Sequence, residues 1–211
     1  MITDGLNPFT ILLFIGAVLA GATLIVLHVV ARVTKREPLA RITLRLLAGG
    51  AGVYVVLFLL ASLTSRNRVL AVGEEKHICE VNCHLAYSVA QTKSEPLPNG
   101  LVRHTVTVKV RFDEETISSR RPRDATLQPN SRYVALIDEQ GHRYPGSTEG
   151  LRRKLIPGES YTTDIVFDAP ADAQDLRLVL RNNDPETAFI IGHENSLLHG
   201  KTMFALPRKA A

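Results

Sequence analysis

The chain has 211 residues, 45% of them hydrophobic, with two cysteines, no tryptophan and a formal net charge of +4. That length allows one domain plus a further element. The basic surplus excludes the footprint of a nucleic-acid-binding surface, because it is confined to residues 32–45: Arg32, Lys35, Arg36, Arg41 and Arg45 stand there against Glu37 alone, whereas from Arg66 onward 20 basic residues nearly balance 19 acidic ones.

Residues 9–31 and 46–65 are free of charged side chains for 23 and 20 positions. About 20 residues at a 1.5 Å rise cover the hydrocarbon core of a bilayer, so both stretches are expected as membrane-spanning helices. The first lacks the basic start and the small-residue cleavage site of a signal peptide. Segment 32–45 is expected as the connecting loop, broken at Pro38. Its five basic residues outweigh Arg66 and Arg68 beyond the second helix, which places the loop in the cytoplasm and both termini outside, in the inner (plasma) membrane. His28 is expected at the interface, reaching for the headgroups. The pairs Gly16/Ala20, Ala17/Gly21 and Ala48/Gly52 have the small-xxx-small spacing that lets helices approach closely, within the hairpin or with another protein.

A short distance after the second helix comes HICEVNCHLAYSV, residues 77–89, which holds both cysteines. His77, Cys79, Cys83 and His84 admit two main readings. In an oxidising compartment Cys79 and Cys83 are candidates for a disulfide. Four residues of extended chain cover about 13 Å, so that bridge needs a turn over residues 80–82. The same four side chains could instead hold copper or zinc, with His193, His199 and Met203 as further donors if the last strand lies near the first. A third reading, a haem-attachment string one residue longer than C-x-x-C-H, is contradicted by the strand-like LAYSV that follows.

From about residue 70 the pattern is that of short strands between turns. Leu101–Phe112 alternates, with Val106, Val108, Val110 and Phe112 on one face and Lys109 and Arg111 on the other. Further strands are expected at 84–90, 133–137, 142–144, 161–167, 176–180 and 202–206, with turn chemistry at 138–141 and at Pro157-Gly158. About seven strands favour an antiparallel sandwich. The expected fold class is therefore mainly β: a two-helix transmembrane hairpin over residues 1–68, followed by an extracytoplasmic β-sandwich over 69–211.

The succession YVALIDEQGHRYP, LIPGESYTTDIVFDAP and DLRLVL resembles the immunoglobulin-like extracytoplasmic domains of bacterial lipoproteins and membrane-anchored proteins that are labelled after telomeric repeat-binding factor. That resemblance covers about residues 100–182 and implies a sandwich that binds or stabilises a partner, without catalytic residues. The layout, two helices and then a sandwich, is similar to that of cytochrome c oxidase subunit II, whose copper site uses C-x3-C-x3-H-x2-M. Cys79 and Cys83 match its cysteine spacing, but Tyr87 and Ala90 stand at its His and Met positions, and the pair lies at the start of the domain.

Two basic clusters, Arg120, Arg121 and Arg123, and Arg152, Arg153 and Lys154, are candidates for contact with anionic headgroups or an acidic partner. No spacing of nucleophile, base or paired carboxylates points to an enzyme. The expectation is an interaction or accessory module, without cofactor, in a membrane complex with other membrane-protein subunits; the alternative is a copper-binding or electron-transfer domain.

Overall fold

The structure, a computed structural model, describes residues 2–4, 8–78, 84–118, 121–129, 133–182 and 185–206. They fall into two compact units. One contains 2–4, Arg66–Pro185 and 200–206; the other contains 8–65 and Glu186–His199. Neither unit is one continuous stretch of chain.

The second unit is a helical hairpin. Helix α1 spans Pro8–Val33 and α2 spans Glu37–Thr64, both long and apolar enough to cross a membrane. The connection is far shorter than the expected loop. Pro38 occupies the first turn of α2, where its missing N–H costs nothing, so it starts this helix and does not interrupt a loop. Arg41 and Arg45 are thereby helical, and the reversal is made by residues 34–36, with Lys35 at φ 55° and the amide of Arg36 bonded to the carbonyl of Ala31. Ala31 and Ala40 are buried there, their methyl groups small enough for close approach. His28 turns toward α2. Its Nδ1 lies 3.0 Å from the Ala40 carbonyl and 3.1 Å from Thr43 Oγ1. The carbonyl can only accept, so the imidazole donates and ties α1 to α2. Most other large apolar side chains of both helices are exposed, Leu12, Leu19, Val26, Leu60 and Leu63 among them.

The first unit is a β-sandwich. The chain-order strands are β1 Ile2–Asp4, β2 Arg68–Leu70, β3 Lys76–Ile78, β4 Leu85–Pro96, β5 Leu101–Phe112, β6 Tyr133–Ile137, β7 Arg143–Pro145, β8 Ser160–Pro170, β9 Arg177–Arg181 and β10 Thr202–Ala205. One sheet has the order β1-β3-β4-β5-β8, the other β2-β10-β9-β6-β7. All pairings are antiparallel except two at sheet edges, β1 with β3 and β2 with β10.

Alternation in β5 is borne out: Val106, Val108, Val110 and Phe112 are all completely buried. They meet Val89 and Tyr87 of β4, Ile165 and Phe167 of β8, and Leu136, Leu178, Leu180 and Phe204 from the facing sheet. Lys109 and Arg111 are half-buried, not exposed, and Arg111 is held on the outer face by ion pairs with Glu75 and Asp113. Gly200 is fixed by close approach: a Cβ there would collide with the backbone of Arg66, which brings β10 beside the start of β2.

Candidate functional site

Strand register builds a polar row at one end of the sandwich. His77 pairs with Ala86, and Ala86 with Arg111 on β5. Asp113 follows one residue beyond β5 and caps the short helical turn Glu114–Thr116, accepting the N–H of Glu115 at 3.2 Å. Its carboxylate also takes His77 Nε2 at 3.1 Å and an Arg111 guanidinium nitrogen at 3.2 Å. Arg111 holds Glu75 through two further bonds of 3.0 and 2.6 Å, the paired geometry that suits guanidinium and carboxylate. The neighbouring Lys76 points to the other face, into the core. It is completely buried, and its ammonium donates across the sandwich to the carbonyls of Leu180 at 2.9 Å and Thr202 at 3.2 Å.

His84 stands beside this row. Thr116 donates its hydroxyl proton to the Asp113 carbonyl at 2.8 Å, so toward His84 Nδ1, 2.7 Å away, it accepts. The proton of neutral His84 is therefore on Nδ1, and Nε2 carries the lone pair. The ring stacks on Phe112 with centroids 5.8 Å apart, and Arg121 lies over that phenylalanine at 5.6 Å. Burial, together with the positive charge of Arg121, lowers the His84 pKa, and Asp113 only partly opposes them. Burial raises the pKa of Asp113, but hydrogen bonds from His77 and Glu115 and the charge of Arg111 outweigh it and leave the carboxyl below its ordinary value. The hydrogen bond from Arg111 lowers that of Glu75. The arrangement can hold two imidazoles in set orientations on either side of residues 79–83, each with one nitrogen engaged by an oxygen, as in histidines prepared for ligation and equally in a locked structural base.

The structure places the sequence candidates as follows. Cys79, Cys83 and Arg120 lie outside the described residues. His77 and His84 come together around Asp113 and the turn that follows it. Met203 is on β10 in the facing sheet; that strand does lie beside β2, the first strand after the helices. His193 and His199 belong to the hairpin unit. Among the described residues no three His, Cys, Asp or Glu side chains are grouped to hold a metal. Arg121 packs on Phe112 and Arg153 lies 5.4 Å from the Tyr161 ring, while Arg123, Arg152 and Lys154 are exposed.

Sequence reasoning missed Lys76, Glu75, Arg111 and Asp113. The available signal was GEEKH, a dense charge run entering a strand, followed far along the chain by RFDEE. It also missed a cavity of about 660 Å³ at the other end of the sheets, between β4 and β5 on one side and the start of β9 on the other. Val102, Leu176 and Leu206 form apolar walls, and Ser94 Oγ lies 2.9 Å from His104 Nδ1 at its polar side. Burial lowers the pKa of His104.

Fold and site together define a β-sandwich domain joined to two helices of membrane-spanning length. No protein-family model matches the sequence, and no curated protein matches it. Among solved structures the chain is similar to MPT63, a secreted protein of Mycobacterium tuberculosis, at 12% identity and TM-score 0.44, over 68% of this chain and 100% of that one. It is also similar to an uncharacterised β-sandwich protein of Clostridium difficile, at 9% identity and TM-score 0.37, over 68% of this chain and 96% of that one. A functionally unknown protein of Listeria monocytogenes follows at 8% identity and TM-score 0.33, over 56% of this chain and 78% of that one. These likenesses carry no functional argument.

Proposed function

We propose that the chain is a membrane-anchored extracytoplasmic interaction module without catalysis of its own, and a subunit of a larger complex in the inner membrane. The observation that carries this reading is where the small residues of the hairpin point. A Cβ added to Gly16, Gly21 or Gly52 would meet no atom within 4 Å, so α1 and α2 do not use these stripes against each other. Small residues in membrane helices let backbones approach closely, and open stripes on both helices fit the helices of a second protein. Pairing of β1, before α1, with β3, after α2, supports the same-side placement of both helix exits that a two-pass hairpin requires. The excess of basic residues around the 34–36 reversal supports a cytoplasmic position for it, and the resemblance to immunoglobulin-like extracytoplasmic domains fits a binding role. A copper site at His77, Cys79, Cys83 and His84 is the alternative reading, with His84 Nε2 offering its lone pair.

Native electrophoresis of membranes solubilised in mild detergent tests the subunit role. The wild-type chain is expected in a species well above its own 23.2 kDa. The double variant Gly16→Leu, Gly52→Leu is expected to fall to the single chain, with thermal unfolding of the sandwich unchanged. A wild-type chain that already runs alone, or a variant that keeps the larger species, contradicts the reading.

A further inference from the structure

The segment Glu186–His199, which packs in the hairpin unit, distributes its side chains in the reverse of a water-soluble loop. Thr187, His193 and Ser196 are buried, with 8%, 5% and 0% of their surface exposed, while Phe189, Leu197 and Leu198 are exposed at 56%, 53% and 69%. Water favours the opposite arrangement, and hydrocarbon favours this one. Leu198 even adopts a left-handed φ of 63°, costly for a residue with a side chain, to turn its isobutyl group outward.

Five of its backbone amides are bonded within the segment, as a low-dielectric surrounding favours. The amides of Ile190, His193, Ser196, Leu197 and His199 donate to the carbonyls of Thr187, Ile190, His193, Ala188 and Ser196 in turn. Ser196 Oγ donates to the Ile190 carbonyl, and the Asn195 amide donates to His193 Nδ1. Irregular backbone is tolerated at membrane depth only with its polar groups satisfied in this way.

Depth follows from the helices. The Tyr54 hydroxyl donates to the Phe189 carbonyl at 2.5 Å. Tyr54 precedes the end of α2 by ten residues, about 15 Å of helix, and helical side chains lean toward the N-terminus, still further from that end. Ile191 lines one cavity together with Thr10 and Leu13 of α1 and Leu57, Leu60 and Ala61 of α2. Both helices thus place the segment along the half of the hairpin where α1 begins and α2 ends.

We propose that Glu186–His199 is a re-entrant segment that dips into the leaflet on that side and sets Phe189, Leu197 and Leu198 among its acyl chains. This third attachment to the bilayer rests on reading α1 and α2 as membrane-spanning. The chain has no tryptophan, so single substitutions report without background. Phe189→Trp, Leu198→Trp, Leu57→Trp on α2 and Val166→Trp on β8 are each made in the full chain and reconstituted into phosphatidylcholine vesicles with brominated acyl chains. Emission at positions 189 and 198 is expected to be lost to the extent seen at position 57, and kept at position 166. If either position stays unquenched while Leu57→Trp is quenched, the re-entrant segment is overturned and the hairpin stands. Without quenching at Leu57→Trp the hairpin reading fails and the proposal with it. Equal quenching at Val166→Trp also overturns it, because contact with lipid is then general.

Discussion

Val108→Asp is expected to unfold the sandwich. Val108 is completely buried, and its strand neighbours are Val89 on β4 and Thr163 on β8. A carboxylate there has neither water nor a cation, and a buried unpaired charge is among the few single changes that cost about 4 kcal/mol or more. Domains of this size have about 5–15 kcal/mol to lose. The control lies on the opposite face of β5. Thr105 is half-buried and opposite Lys93, so Thr105→Asp gains a cross-strand charge partner and is expected to cost no more than about 1 kcal/mol. Thr107 would be a poor control, although alternation alone suggests it: its hydroxyl donates to Asp164 at 2.6 Å, and an aspartate there would face a like charge. Urea unfolding of the full-length protein in detergent separates the two variants. Equal destabilisation by both would contradict a one-sided β5.

The second large effect is expected at Asp113. Its carboxylate is 3% exposed and serves His77, Arg111 and the Glu115 amide together. Asp113→Ala strips the buried His77 of its carboxylate, while Arg111, 30% exposed, keeps Glu75, so the cost is expected toward the lower end of the ~3–5 kcal/mol that breaking a buried charged network takes. The same group shapes the response to acid. Asp113 and Glu75 are held below their ordinary values of 3.8 and 4.5, so as pH falls the unfolded chain takes up their protons first. Their contribution is complete above those values and is lost as pH drops through and below them. His84 and His104 act in the same direction, because their folded pKa values lie below 6.5, and stability is expected to start falling as pH passes below about 6.5. Asp113→Ala should flatten the part of the profile in the carboxylate range and enlarge the loss in the histidine range, because the Asp113 charge holds the His84 pKa up and its removal lowers that pKa further. An unchanged acid limb would mean that Asp113 is not linked to folding.

What the sequence made legible follows one-sided burial. In β5 and β6 hydrophobic residues mark a buried face, and 101–112 and 133–137 are the observed bounds of those strands. Beyond Val89, β4 continues as Gln91, Thr92, Lys93, Ser94, Glu95 with a register shift between Val89 and Gln91 and mostly exposed side chains, so no apolar period announces it. Strands β1, β2 and β3 have three residues each, too few for a period, and β1 is created by pairing across more than 70 positions of chain. Arg41 and Arg45 disguised the start of α2, because charged letters read as loop although headgroup depth accepts them on a helix. Polar letters disguised 186–199 in the same way: His193, Asn195 and Ser196 suggest a solvated loop, yet two of them are buried. Of the candidate site, the sequence showed His77 and His84, whereas Asp113 reaches His77 only through a strand register that no local pattern encodes.

The account depends most on the sandwich and the 34–36 reversal lying on opposite faces of the membrane. Paired reporter fusions measure this directly, with alkaline phosphatase, active only outside the cytoplasm, and a fluorescent protein that folds only inside it, placed at the C-terminus and within the reversal. The expected result is phosphatase activity from the C-terminal fusion and fluorescence from the fusion at Lys35. Fluorescence from the C-terminal fusion, with phosphatase activity at Lys35, would contradict the extracytoplasmic placement of the sandwich.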